Sequence, residues 1–518
     1  MVALILIWLT ILLVIFMNYN SEKFKYSCKK IIATKTKKLS KKRTIWDIPG
    51  PRPIPFLGTK WIFYLQKFSL SKLHEAYDEF NKKYGPIVLE VTTSGTPIVH
   101  LFDRNDIDTV LKYPSKYPYR PPTDIIVMYR QSRPDRYSSV GITNEQGETW
   151  FKLRSRLTSH ITSPRILQNF LPILNVIFDD FIDVLKTKRD PSTFCVENFQ
   201  DVANLMSLEA VCTLMLGRRM GFLGKNLKEE DKVMKLAAAV KQLFISQRDS
   251  YYGLGLWKYI PTKTFRDFAK SEEIIYDIIS ELVDETLAEN ELNSADDDVN
   301  SIFHSILQTK DLDIRDKKSA IIDFIAAGIE TLGNTLIFAI NFIANHEEAP
   351  QRIVEEFGAF KSSYILQDAL TKALYTKSCL QETYRLQPTA FCLARFLEED
   401  TTLSNYDLKA GTVLLCQTMI ACRNEQNFPD AKTYKPERWI SEDKTSNIQL
   451  ENSSIIVPFG IGKRTCPGKR FVEMELVLLL AKLFLAFDVK LAQPLETEFE
   501  FLLAPKTPVN VILNDRVY

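Results

Sequence analysis

The sequence predicts a mainly α-helical fold with small β-sheets, set behind a short apolar N-terminal helix. Three observations lead there. Long stretches carry apolar residues at helical spacing. The strand-like pieces are short and scattered. The first 43 residues differ in charge and composition from everything that follows. With 518 residues, 45% hydrophobic and 25% charged, the chain has the composition of a folded globular protein; collagenous, coiled-coil and disordered classes are excluded.

Residues 1–17 read MVALILIWLTILLVIFM, uncharged and almost wholly apolar. As a helix they cover roughly 25 Å, near the lower limit for crossing a bilayer. No basic stretch precedes them and no small-residue cleavage site follows, so a retained membrane anchor is expected rather than a cleaved signal peptide. Residues 18–43 then carry ten Lys/Arg and one acid, Glu22, so the N-terminal 43 residues hold +9 and the rest −7 of a formal net charge of +2. Those cations stay cytoplasmic by the positive-inside rule. The same basic, Ser/Thr-containing stretch also fits a mitochondrial presequence behind an apolar segment, so mitochondrial and endoplasmic reticulum membranes both remain open. Pro49-Gly50-Pro51-Arg52-Pro53-Ile54-Pro55 reads as a stiff extended spacer. The expected organisation is an anchor at 1–17, a basic linker at 18–47 and one catalytic body at 48–518.

Within the body, residues 170–186 place apolar side chains at 170, 171, 173, 174, 177, 178, 181, 182 and 185, which is helical spacing. Residues 317–345 form a long apolar helix, and 470–485 another. Residues 87–91 with 98–101, and 509–513, read as strands. The Asp-rich stretch 293–300 reads as an exposed loop. No internal repeat, phosphate-binding Gly-rich loop or nucleophile elbow is present. The small net charge gives no overall bias toward nucleic acid, and eight scattered cysteines make no disulfide framework.

One cysteine stands apart. Cys466 lies in Pro458-Phe-Gly-Ile-Gly-Lys-Arg-Thr-Cys-Pro-Gly468, just before a predicted helix. Glycines allow tight turns and close approach to a flat ligand. A thiolate at a helix N-terminus, near Lys463 and Arg464, gains from the dipole and the cations, and it is a soft ligand suited to iron. Read alone, such a cysteine is more often a plain buried one on a turn.

The surrounding pattern changes that weighing. Phe459-x-x-Gly462-x-Arg464-x-Cys466-x-Gly468 resembles the haem-binding loop of the cytochrome P450 family. Ala327-Gly328-Ile329-Glu330-Thr331, Glu382-x-x-Arg385, Pro436-Glu437-Arg438-Trp439 and Trp150-x-x-x-Arg154 resemble further motifs of that family, in its order, with Trp439 where phenylalanine is commoner. The resemblance covers nearly everything after residue 45. It implies haem b with Cys466 as axial thiolate, Phe459 and Gly460 against the cofactor, and Arg464, Trp150, Arg154 and Arg395 toward its propionates. It implies Thr331 and Glu330 as the catalytic pair that relays protons. Glu382, Arg385 and Arg438 become a bracing network, where the residues alone suggest a surface ion pair of little value.

Residues 114–122, 132–137, 144–147, 163–172 and 208–222 resemble the arthropod ecdysteroid-hydroxylating branch of the family. That implies a steroid substrate, ecdysone oxidised at C20, with a xenobiotic- or other lipid-oxidising member as the alternative. Lys377, and the pair Lys469-Arg470 after the haem loop, resemble the mitochondrial branch, whose donor is an adrenodoxin-type ferredoxin. Gln381 departs from a lysine usual there. The apolar segment instead resembles microsomal members, served by NADPH-cytochrome P450 reductase.

Overall fold

The computed structural model describes residues 43–517, apart from 66–67, 159–160, 162–163, 225–226, 293–300, 359–363 and 441–452. The expected anchor at 1–17 and the expected loop at 293–300 lie outside the described residues. Helices of eight residues or more are α1 (Leu73–Tyr84), α2 (Arg104–Leu111), α3 (Asp124–Gln131), α4 (Gly147–Thr158) and α5 (Pro164–Lys188).

 They are followed by α6 (Phe199–Leu216), α7 (Leu227–Tyr252), α8 (Lys263–Leu292), α9 (Ile314–Ala344), α10 (Ala349–Phe357), α11 (Leu374–Leu386) and α12 (Lys469–Ala486).

The helical core sits where apolar residues surround a helix on all sides. Nearly all of α6 is buried, as is α12 from Leu476 to Leu485. Helix α9 starts at Asp313, whose carboxylate accepts from the Arg315 N–H at 2.8 Å. It is long and apolar enough to cross a membrane by length and composition, yet it runs through the middle of the body, and 72% of its most apolar stretch is buried. It packs along α6 and reaches α7, α8, α11 and α12.

Sheets are small and peripheral. Ile87–Val91 pairs antiparallel with Pro97–Leu101, which pairs parallel with Val413–Cys416, which pairs antiparallel with Leu393–Phe396. Val511–Asp515 pairs antiparallel with Phe487–Leu491 and with Cys195–Val196. Thr497–Phe499 and Leu503–Pro505 make a separate antiparallel pair.

Three sequence expectations shift. The helix expected at 170–186 begins at Pro164, since proline is tolerated in a first turn, and it carries Pro172 inside it. The strand expected at 509–513 is Val511–Asp515. The proline-rich stretch is no free spacer. The Leu89 N–H donates to the Pro49 carbonyl at 2.9 Å, and a Cβ on Gly50 would lie 2.1 Å from the Leu89 carbonyl oxygen. Just before it, Arg43–Thr44 pairs parallel with Tyr406–Asp407, so the folded body starts ahead of residue 48.

Candidate active site

Helices α6 and α9, the start of α12, the segment 389–395 and the loop 458–468 enclose a cavity of about 400 Å³. That is the size range of small-molecule sites. Its walls include Ile142, Leu214, Phe324 and Leu393, and apolar surface predominates over polar.

The loop turns through Gly460 (φ 74°) and Gly462 (φ 70°), both in the left-handed region. The Cys466 N–H then donates to the Phe459 carbonyl at 2.8 Å, closing the loop and lifting the sulfur to the cavity wall. Cys466 is exposed as a residue, yet its thiol is desolvated. Both hold because the exposed surface faces the internal cavity. Burial pushes the thiol pKa up, tempered by the Gly468 N–H, the Arg154 guanidinium and the Lys469 N–H. The expected cations are replaced. Lys463 donates to the Lys116 carbonyl at 3.1 Å, and the Arg464 guanidinium stacks 3.7 Å from the Trp150 ring centroid.

Four guanidiniums line this cavity: Arg120, Arg154, Arg395 and Arg464. Arg464 donates to the Pro118 carbonyl at 2.9 Å and the Glu145 carbonyl at 3.0 Å. Arg154 donates to the Thr465 carbonyl at 2.6 Å, and Arg395 to the Ala394 carbonyl at 2.8 Å. Among the described residues no carboxylate forms an ion pair with any of the four. Burial, then repulsion from Arg120, Arg395 and Arg154, pulls the Arg464 pKa down to about 9. Burial and Arg395 pull Arg120 down to about 10. Such a cluster calls for an anionic ligand.

The cytochrome P450 family model matches residues 48–513 of this chain. The chain belongs to the cytochrome P450 family. Among its relatives is the ecdysone 20-monooxygenase of Drosophila melanogaster, 64% identical over 92% of this chain and 90% of that protein. The mitochondrial cytochrome P450 302a1 of the same organism is 28% identical over 85% of this chain and 89% of its own length. The mitochondrial 1,25-dihydroxyvitamin D(3) 24-hydroxylase of Mus musculus is 26% identical over 86% and 84%.

P450 enzymes are haem monooxygenases with a cysteine thiolate on the iron. The residues present fit that group. A soft donor at Cys466 opens on a largely apolar cavity beside four guanidiniums that lack carboxylates, and haem b carries two propionates on one edge. Arg120 is a member of this set that sequence reasoning did not assign. It lies in the Tyr119-Arg120-Pro121-Pro122 run, whose prolines hold the chain extended, but no spacing ties it to Cys466.

The two residues expected to relay protons face different ways. Thr331 lines the cavity, and its hydroxyl donates to the Ala327 carbonyl at 2.7 Å. Glu330 does not line the cavity. It is buried on another side of α9, with Oε1 lacking a hydrogen-bond partner among the described residues. Burial first, and then the Glu500 carboxylate, push its pKa up to about 8, while Lys241 opposes them. Lys241 is itself paired to Glu500 at 3.2 Å.

Glu382, Arg385 and Arg438 meet in one buried network, not on a surface. Arg385 grips Glu382 through Nε at 2.9 Å and Nη2 at 2.8 Å, and Arg438 Nε adds a third bond at 2.9 Å. Spare guanidinium hydrogens donate to the carbonyls of Cys422, Ala431 and Pro429. A buried ion group is stable only when so fully bonded.

Proposed function

We propose that this enzyme hydroxylates ecdysone at C20 to give 20-hydroxyecdysone. The observation that carries this reading is the 64% identity, over 92% of the chain, with a protein named for that reaction. The reaction consumes dioxygen, two electrons and two protons; one oxygen atom enters the C–H bond and the other leaves as water. Haem, when bound, supplies the redox and oxygen chemistry.

The chain's own residues then have separate tasks. With haem bound, Cys466 would supply its thiolate to the iron. Arg120, Arg154, Arg395 and Arg464 would bind the propionates, with Trp150 supporting Arg464, while Phe459 and Gly460 would lie against the cofactor. Apolar walls hold the steroid and exclude water. The Thr331 Oγ1 hands on a proton within the cavity. Glu330 holds a proton at neutral pH behind the same helix turn. The Glu382–Arg385–Arg438 network braces the chain that leads into the cysteine loop.

We infer a ferredoxin as electron donor and a mitochondrial membrane as location, with residues 1–17 holding the enzyme to it. Lys377, Lys469 and Arg470 all act electrostatically on Glu473, so three cations share one face near the cysteine loop. Lys377 and Lys469 are exposed there. Such a face suits an acidic partner. The decisive experiment is turnover of ecdysone with a ferredoxin chain and, separately, with a flavoprotein reductase. Product with ferredoxin alone, weakened by Lys377→Glu, is expected. No 20-hydroxyecdysone with either donor would refute the substrate, and product with the flavoprotein alone would refute the donor.

A further inference from the structure

Two carboxyls line the cavity. Glu475 follows the cysteine loop on α12, is buried, and has an Oε1 without a partner among the described residues. Asp323 sits on α9, eight residues before Thr331, hence about 12 Å away along the axis. It is gripped by Arg130 on both oxygens, Nη1 to Oδ2 at 3.0 Å and Nη2 to Oδ1 at 2.6 Å.

This pair is locked in place. Arg130 also lies 3.7 Å from Glu272 Oε1, and its guanidinium covers the Tyr137 ring at 4.7 Å. The Tyr137 hydroxyl donates to Glu272 Oε2 at 3.1 Å. Gly141 (φ 85°) leaves the room: a Cβ there would stand 2.2 Å from Arg130 Nη1 and 2.9 Å from Asp323 Oδ2. Each carboxylate oxygen has more than one acceptor site, so two bonds to Arg130 leave acceptor capacity on Asp323. Its side chain keeps 14% exposure where Arg130 keeps 6%.

We propose that Asp323, positioned by Arg130, accepts a hydrogen bond from a substrate hydroxyl at the end of the steroid remote from the oxidised carbon, and so selects for hydroxylated steroids. This rests on the ecdysone reading. The terminal-ring hydroxyls of ecdysone lie at the far end of a rigid nucleus from C20, and Asp323 lies two turns of α9 from Thr331. A ligand lacking the matching donor covers that remaining acceptor capacity without bonding to it, and so binds more weakly.

The test measures dissociation constants by equilibrium dialysis with the holoenzyme. The ligands are ecdysone and analogues that each lack one terminal-ring hydroxyl. The unaltered enzyme is expected to bind one analogue at least about tenfold more weakly than ecdysone. Asp323→Asn is expected to lose about tenfold for ecdysone and to flatten that discrimination, because a charge-assisted bond becomes a neutral one. Every analogue binding the unaltered enzyme as tightly as ecdysone would overturn the proposal without any variant. So would a folded Asp323→Asn enzyme that keeps full affinity and discrimination. If ecdysone fails to bind the unaltered enzyme, the substrate reading falls first, and this proposal with it.

Discussion

The indole Nε1 of Trp439 donates to Glu382 Oε2 at 3.0 Å. It joins a carboxylate already bonded to Arg385 and Arg438. The tryptophan that departs from the family's commoner phenylalanine therefore adds a hydrogen bond to a fully buried ion. Trp439→Phe keeps a ring but removes the N–H. The holoenzyme is expected to lose about 1–2 kcal/mol of stability, measured as a lower denaturant midpoint with an unchanged slope. An unaltered midpoint would show that the bond contributes nothing.

Cys466→Ser removes the soft donor and leaves the loop geometry intact. The reduced carbon monoxide complex is expected to lose the red-shifted Soret band of a thiolate-ligated haem, and hydroxylation to stop. A persisting band would assign the ligand to another residue.

Glu330 supplies a pH-dependent stability. Its folded pKa is about 8, well above the ordinary glutamate value of about 4.3 that holds in the unfolded chain. The folded state keeps a proton that the unfolded state has released, so stability falls as pH rises from about 4.3 to 8. Glu330→Gln removes this titration. The variant is expected to be more stable than the parent by about 1–3 kcal/mol at neutral pH, with the gap closing toward pH 5. Melting temperatures of the two proteins across that range decide it; a gap that does not vary with pH would contradict the assignment.

Thr331→Ala tests the hydroxyl in the cavity. Its bond to the Ala327 carbonyl is one that a threonine in any helix can make, so the fold should tolerate its loss. Ecdysone binding is expected to stay within about twofold, while product formed per electron consumed drops about tenfold. An unchanged yield per electron would limit Thr331 to packing.

The fold was readable where apolar residues recur without interruption. Helices α9 and α12 show this in sequence, because burial on every side demands it. Helices α7 and α8 did not stand out, since charged residues such as Lys241 and Glu272 punctuate them. The proline-rich segment is legible in conformation but not in its contacts. Its composition says extended, and it is extended, but only the fold shows that Leu89 lies against it. Near Cys466, short spacing made Arg464 legible. Arg120 is 346 residues away in the chain, and no periodicity connects positions so far apart. Glu330 and Thr331 are adjacent in sequence, yet adjacent helix positions point about 100° apart, which is why they face different surroundings.

The four guanidiniums bear on how the protein matures as well as on what it binds. Four like charges repel one another inside a poorly screened space, and a bound dianion between them would offset that repulsion. Haem held there would raise the stability of the native state, as any ligand bound by that state alone does. Limited proteolysis with and without haem, read for cuts near residues 118–122 and 458–468 that haem suppresses, measures that stabilisation directly.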